Sequence, residues 1–211
     1  VFRFYGGPID SDTGPEGQIN GWPLDENHID YTVDSPMSGI INDAAKYPTI
    51  DKALLIKENE AGGNEKLLTA GYHAIEFLLW GQDLNGTEAG AGNRPWTDFA
   101  AGEDCTNGNC DRRGEYLTAA TELLVSDLEW LAAQWAGESA ARHTLLDDPA
   151  AAIVAILTGM GSLSYGEQAG ERMKLGVLLN DPEEEHDCFS DNTHNSHFYD
   201  GLGIRNVYVG E

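Results

Sequence analysis

Apolar positions recur along much of the chain at spacings of three and four, the signature of amphipathic helices. The clearest run is 111 to 135, where Leu117, Ala120, Leu124, Leu128, Leu131 and Trp135 stand 3, 4, 4, 3 and 4 apart. A second long helix is expected from Pro149 to about Asn180, with Asp148 as N-cap and proline in the first turn. On it Gly159, Gly166 and Gly170 recur seven and four apart, leaving one side open to the close approach of another backbone. Thr49 is read as the N-cap of a short helix, DKALLIKENE, which stops at Ala61-Gly62-Gly63, and Asn64 as the cap of the next, EKLLTAGYHAIEFLLWG. That helix is apolar nearly all round, which predicts burial. Residues 1 to 48, 82 to 110 and the tail after Asn180 read as loops, the tail with a short helix after Ser190. Loops beyond about 15 residues in a compact domain are generally functional or disordered, and Trp22, Ile29, Tyr31 and Ile40 argue that the first one docks. No strand pattern emerges. The expected fold is all-α: two packed four-helix-type bundles with long ordered loops, residues 1–147 contributing to the first and 148–211 to the second.

Composition narrows the function. Twelve Lys and Arg against 36 Asp and Glu give a formal net charge of −24. Nucleic acid is excluded as a partner, since phosphate contacts need clustered basic residues, and cations are drawn to such a chain. No run of about 18 uninterrupted apolar residues predicts a membrane span, and the first residues lack the basic and apolar regions of a signal peptide, although a leader removed by processing fits equally. Cys105 and Cys110 bracket the short loop TNGN. In an oxidising compartment a local disulfide is the first reading, with free thiols or a zinc pair as alternatives. Cys188 is left over.

Three groups of residues could carry chemistry. His73 and Glu76 are three apart, so they share a helix face. They read either as a buried hydrogen-bonded pair that sets bundle geometry or as ligands, since imidazole nitrogen and carboxylate oxygen suit Fe, Zn, Cu or Mn. The zinc-protease helix needs two histidines four apart, and position 77 is Phe. Glu167 and Glu171, with Arg172, form a second group, either a solvated carboxylate pair or one wall of a site. The third is the acidic run from Glu183 to His194, where Phe189 supplies an anchor and His186 and Asp191 are candidate ligands.

Taken together, GYHAIEFLLWG, INGWPLDENHIDY, CTNGNCDRRGEYL, GMGSLSYGEQAGERM and HDCFSDNTH resemble the imelysin-like proteins, also classed as M75 peptidases, and most closely their iron-regulated branch. The blocks span nearly the whole chain. The resemblance implies bacterial periplasmic or cell-surface proteins, often lipoproteins, associated with iron uptake, with a site in a cleft between two bundles that includes the Gly-x-His-x-x-Glu residues His73 and Glu76. It implies a metal ion, iron favoured over zinc or copper, and as partners iron, an iron-carrying ligand or a surface protein. In the metallopeptidase alternative Glu76 is the catalytic base. Trp22, Asp25 and Asp30 become candidates for one wall of the cleft, and Glu167, Glu171, Arg172, His186 and Asp191 for the other. Members are generally longer at both ends, so the chain is expected to be a central portion completed by other segments.

Overall fold

Residues 14–180 and 182–210 are described by a computed structural model, in which helices account for all regular structure among the described residues. The chain divides into two compact units. One comprises Gly17–Asp127 and Asp187–Asp191; the other comprises the described residues of Leu128–His186 and Asn192–Glu211. The division falls inside a long helix rather than in the loop before Asp148, and five residues of the tail return to the first unit.

In the first unit the expected early loop contains three short helices, α1 (Glu16–Ile19), α2 (Glu26–Ile29) and α3 (Gly39–Asn42), while residues 1 to 13 lie outside the described part. Helix α4 (Lys52–Glu58) is capped by Asp51, whose carboxylate accepts from the Leu54 amide at 2.8 Å, so it starts later than the Thr49 cap predicted. Helix α5 (Gly71–Trp80) also starts later than expected. The segment before it spends its backbone groups on tertiary partners: the Lys66 carbonyl accepts from Asp25, the Leu67 carbonyl from Glu60, and the Thr69 amide donates to Asn59 Oδ1. Gly71 then turns the chain with φ of +90°, and a Cβ there would lie 2.5 Å from the Ile19 carbonyl oxygen. Helix propensity loses to these contacts. Helix α5 is buried on one side only; Tyr72, Leu79 and Trp80 are exposed, because α5 is covered from the His73, Glu76 and Phe77 side.

Helix α6 (Cys110–Ala133) buries Tyr116, Ala119, Ala120 and Leu123 against Ile29, Ile40, Leu55, Ala74, Phe77 and Leu78, and Phe189 joins this core from the far end of the chain. Beside the core lies an ionic network without solvent access. Arg113 donates to Asp30 through Nε at 2.6 Å and Nη2 at 3.1 Å, and to the Asp98 carbonyl at 2.9 Å. Arg94 Nη1 bridges Asp30 and Asp98 at 2.7 and 3.2 Å. Burying four charges is tolerable only because each is paired and hydrogen-bonded. Burial alone would push the Asp98 carboxyl up, but hydrogen bonds from Tyr31, Asn107 and Thr106 and the Arg113 charge hold it below its usual range. Burial and the bond to Asp98 in turn push the Tyr31 phenol up to about 12. The loop that contributes Asp98 is closed by a Cys105–Cys110 disulfide.

The other unit contains α7 (Ala140–Asp147) and a continuous helix formed by α8 (Pro149–Gly161), a π-helical stretch (Ser162–Lys174) and α9 (Leu175–Leu179). Asp148 caps it by accepting from the Ala151 amide at 3.1 Å, and Asn180 ends it in the left-handed region. π-Helix usually occurs as single turns; here it runs for 13 residues. A Cβ on Gly170 would meet the Tyr165 carbonyl at 3.1 Å and one on Gly166 would meet Ser162 Oγ at 3.9 Å, so the nearest atoms belong to the same helix rather than to a second backbone. Helix α10 (Thr193–Val209) replaces most of the expected tail loop. It packs along the π-helical stretch, where Gln168 Nε2 donates to the His197 carbonyl at 2.8 Å. Although the sequence lacks an unbroken apolar run, the 31-residue helix from Pro149 to Leu179 has an 18-residue window of mean hydropathy 1.3, of which 11% is buried. By length and composition alone that suffices to cross a membrane.

Candidate metal centre

Helical periodicity places His73 and Glu76 on the covered face of α5, and the structure brings their side chains together there. His73 Nδ1 lies 3.1 Å from Glu76 Oε2 and 3.7 Å from Asp187 Oδ1. One ligand atom from each of the three residues falls within 4.8 Å of the other two. His73 is 1% exposed and Glu76 8%. All three belong to the same compact unit, because Asp187–Asp191 is part of it.

Phe189 explains how a segment so distant in sequence arrives. Its ring is buried 5.2 Å from that of Phe77 and 5.9 Å from that of Trp22, and its carbonyl accepts from the Gly92 amide at 2.8 Å. With Phe189 inserted, its neighbours are carried to α5. The Ser190 amide and hydroxyl both donate to Glu76 Oε1, at 2.9 and 2.5 Å. Trp22 closes another side, its ring edge-on to His73 at 5.0 Å.

The donor chemistry fits a first-row transition metal. Ligand atoms about 2.1 Å from one ion are about 3.0 Å apart at 90° and about 3.4 Å apart at a tetrahedral angle, close to the 3.1 and 3.7 Å found around His73. One imidazole and two carboxylates suit Fe, Zn or Mn and leave coordination positions for other groups. The zinc-protease pattern is not met, since the helix supplies one histidine and the further ligand is a carboxylate. The Ser-His arrangement of a serine hydrolase is also not met, since Ser190 donates its hydroxyl to the Glu76 carboxylate rather than to the His73 imidazole.

The structure gives the other residues expected at a site these surroundings. Asp25 caps α2, accepting from the Asn27 amide at 3.1 Å, and Asp30 is held in the ionic network. Glu167, Glu171 and Arg172 lie on the π-helical stretch of the other unit, where Glu167 and Arg172 approach to 3.9 Å and Glu171 is exposed. His186 is buried in that unit with its ring 5.8 Å from that of His197. Asp191 follows Ser190 in a left-handed conformation, its amide donating to the Cys188 carbonyl at 3.2 Å. Periodicity offers no route to Asp187 and Ser190; the signal that points to them is a large aromatic residue, Phe189, inside an acidic segment, because a residue that must be buried pulls its neighbours to the core.

An all-helical protein with a buried imidazole held between two carboxylates is therefore the class that fold and site define. A family model described as Imelysin, Peptidase_M75, matches residues 1–211, and the chain belongs to the imelysin family. A comparison with curated proteins gives no match.

Proposed function

We propose that the protein captures a first-row transition metal, iron foremost, with His73, Glu76 and Asp187 as ligands, in the service of iron uptake. The observation that carries this reading is the convergence of one imidazole nitrogen and two carboxylate oxygens from segments more than a hundred residues apart. Supporting it, the excess of acidic residues favours cations, and family membership favours the iron-associated role. The burial of His73 favours a metal ion over a bulky iron-carrying ligand, which would need the imidazole exposed. The Cys105–Cys110 disulfide accords with an oxidising compartment, hence the periplasm or cell surface. On this reading the helix from Pro149 to Leu179 stays outside the bilayer, with α10 packed along its π-helical stretch.

The test is metal content after purification, with iron, zinc and copper affinities by calorimetry, for the wild type and a His73→Ala/Glu76→Ala variant. Wild type should bind and the variant should not; equal binding by both would end the proposal. The family's peptidase designation supports a second reading, in which a bound metal activates water. Glu76 would then be needed as base, yet here it stands among the ligand atoms. Cleavage of protein substrates by wild type and not by Glu76→Gln would favour that reading.

A further inference from the structure

We infer that Ser190 sets the metal selectivity of the centre by occupying one oxygen of Glu76, an inference that rests on the metal-binding reading above. A carboxylate oxygen has two lone pairs, and both of those on Glu76 Oε1 are engaged, by the Ser190 amide at 2.9 Å and the Ser190 hydroxyl at 2.5 Å. The other oxygen, Oε2, faces His73 Nδ1. Glu76 therefore offers an ion one atom rather than two. Ser190 is well placed to hold it so: Phe189 anchors the turn in the core, and the Gly92 amide binds the Phe189 carbonyl.

The consequence is a difference between metals. Calcium takes six to eight oxygens, commonly with bidentate carboxylates, at about 2.3–2.6 Å. Zinc and ferrous iron accept fewer, shorter, single-atom contacts that include nitrogen. A chain of net charge −24 attracts every cation, so discrimination must come from the ligand geometry. Ser190 is thus a positioning residue that makes Glu76 monodentate and disfavours calcium.

The test compares zinc and calcium affinities of the intact chain for wild type, Ser190→Ala and Ser190→Thr by competition with a chromophoric chelator. Ser190→Ala should bind zinc about 10- to 100-fold more weakly, the range for removal of a group that orients a ligand. Its calcium affinity should rise, so the zinc-to-calcium ratio shrinks; Ser190→Thr, which keeps the hydroxyl, should restore the ratio. A folded Ser190→Ala with the wild-type ratio overturns this inference alone, whereas a wild type that binds neither zinc nor iron overturns the metal-binding reading with it. If Ser190→Ala does not fold, a crystal structure of the zinc-loaded wild type decides: zinc on Oε2 alone with Ser190 still on Oε1 supports the inference, and bidentate Glu76 overturns it.

Discussion

Replacing Phe189 by alanine should open the metal centre without touching a ligand. The ring is 1% exposed and packs on Phe77 and Trp22, while the short 3-10 turn it belongs to, Cys188–Ser190 with Asp187 at its start, carries Asp187 and Ser190 to α5. Truncating a buried phenylalanine costs about 3–5 kcal/mol, and each 1.4 kcal/mol is a factor of ten. The docking equilibrium of residues 187–191 should therefore shift by roughly 10²- to 4 × 10³-fold. The hydrogen bonds that remain, from Gly92 and to Glu76, are common to wild type and variant and so leave that shift uncancelled. Amide hydrogen exchange is the assay. In Phe189→Ala the 187–191 amides should lose protection while those at Tyr116, Ala119 and Ala120 in α6 keep theirs. Metal affinity should fall at least about tenfold, because the competent state is now a fraction of the population, and excess metal should return protection to the segment. Wild-type protection and wild-type metal affinity in Phe189→Ala would refute the role given to this anchor.

Gly71→Ala should destabilise the first unit by about 3 kcal/mol or more, since a positive φ costs about 1–2 kcal/mol for an L-residue and the new Cβ would sit 2.5 Å from the Ile19 carbonyl oxygen; a thermal midpoint equal to wild type would contradict this. Arg113→Ala should cost about 3–5 kcal/mol in denaturant unfolding by leaving Asp30 underpaired in the core, and a loss below about 1 kcal/mol would count against the network. The Tyr31 phenol, raised to about 12 against an ordinary value near 10, binds its proton more tightly in the folded state. Its contribution to stability is therefore complete below about pH 10 and lost as pH rises through about 12. Absorbance titration of phenolate should show one late-titrating tyrosine missing in Tyr31→Phe; an unchanged curve would remove the assignment.

The long helices were legible because their evidence is local: the three- and four-residue spacing of α6 and the Asp148-Pro149 start of the helix reaching Leu179. Helix α10 was not, since its apolar residues do not gather on one face and Gly201 and Gly203 lower its propensity. It is supported by packing that only the folded unit provides. The same distinction divides the site. His73 and Glu76 are read from their spacing on one helix, whereas Ser190 reaches Glu76 from 114 positions away. Within the tail, Asp187 and Ser190 flank Phe189, and the burial of Phe189 is what brings them to α5. The ionic network escapes a local reading for the same reason, as Asp30 and Arg113 are 83 positions apart.

The most direct test of the metal centre is an anomalous-scattering structure of the protein loaded with iron or zinc. An ion within about 2.0–2.3 Å of His73 Nδ1, Glu76 Oε2 and Asp187 Oδ1 is the predicted result. An ion bound elsewhere, with these three groups unchanged, would contradict the account.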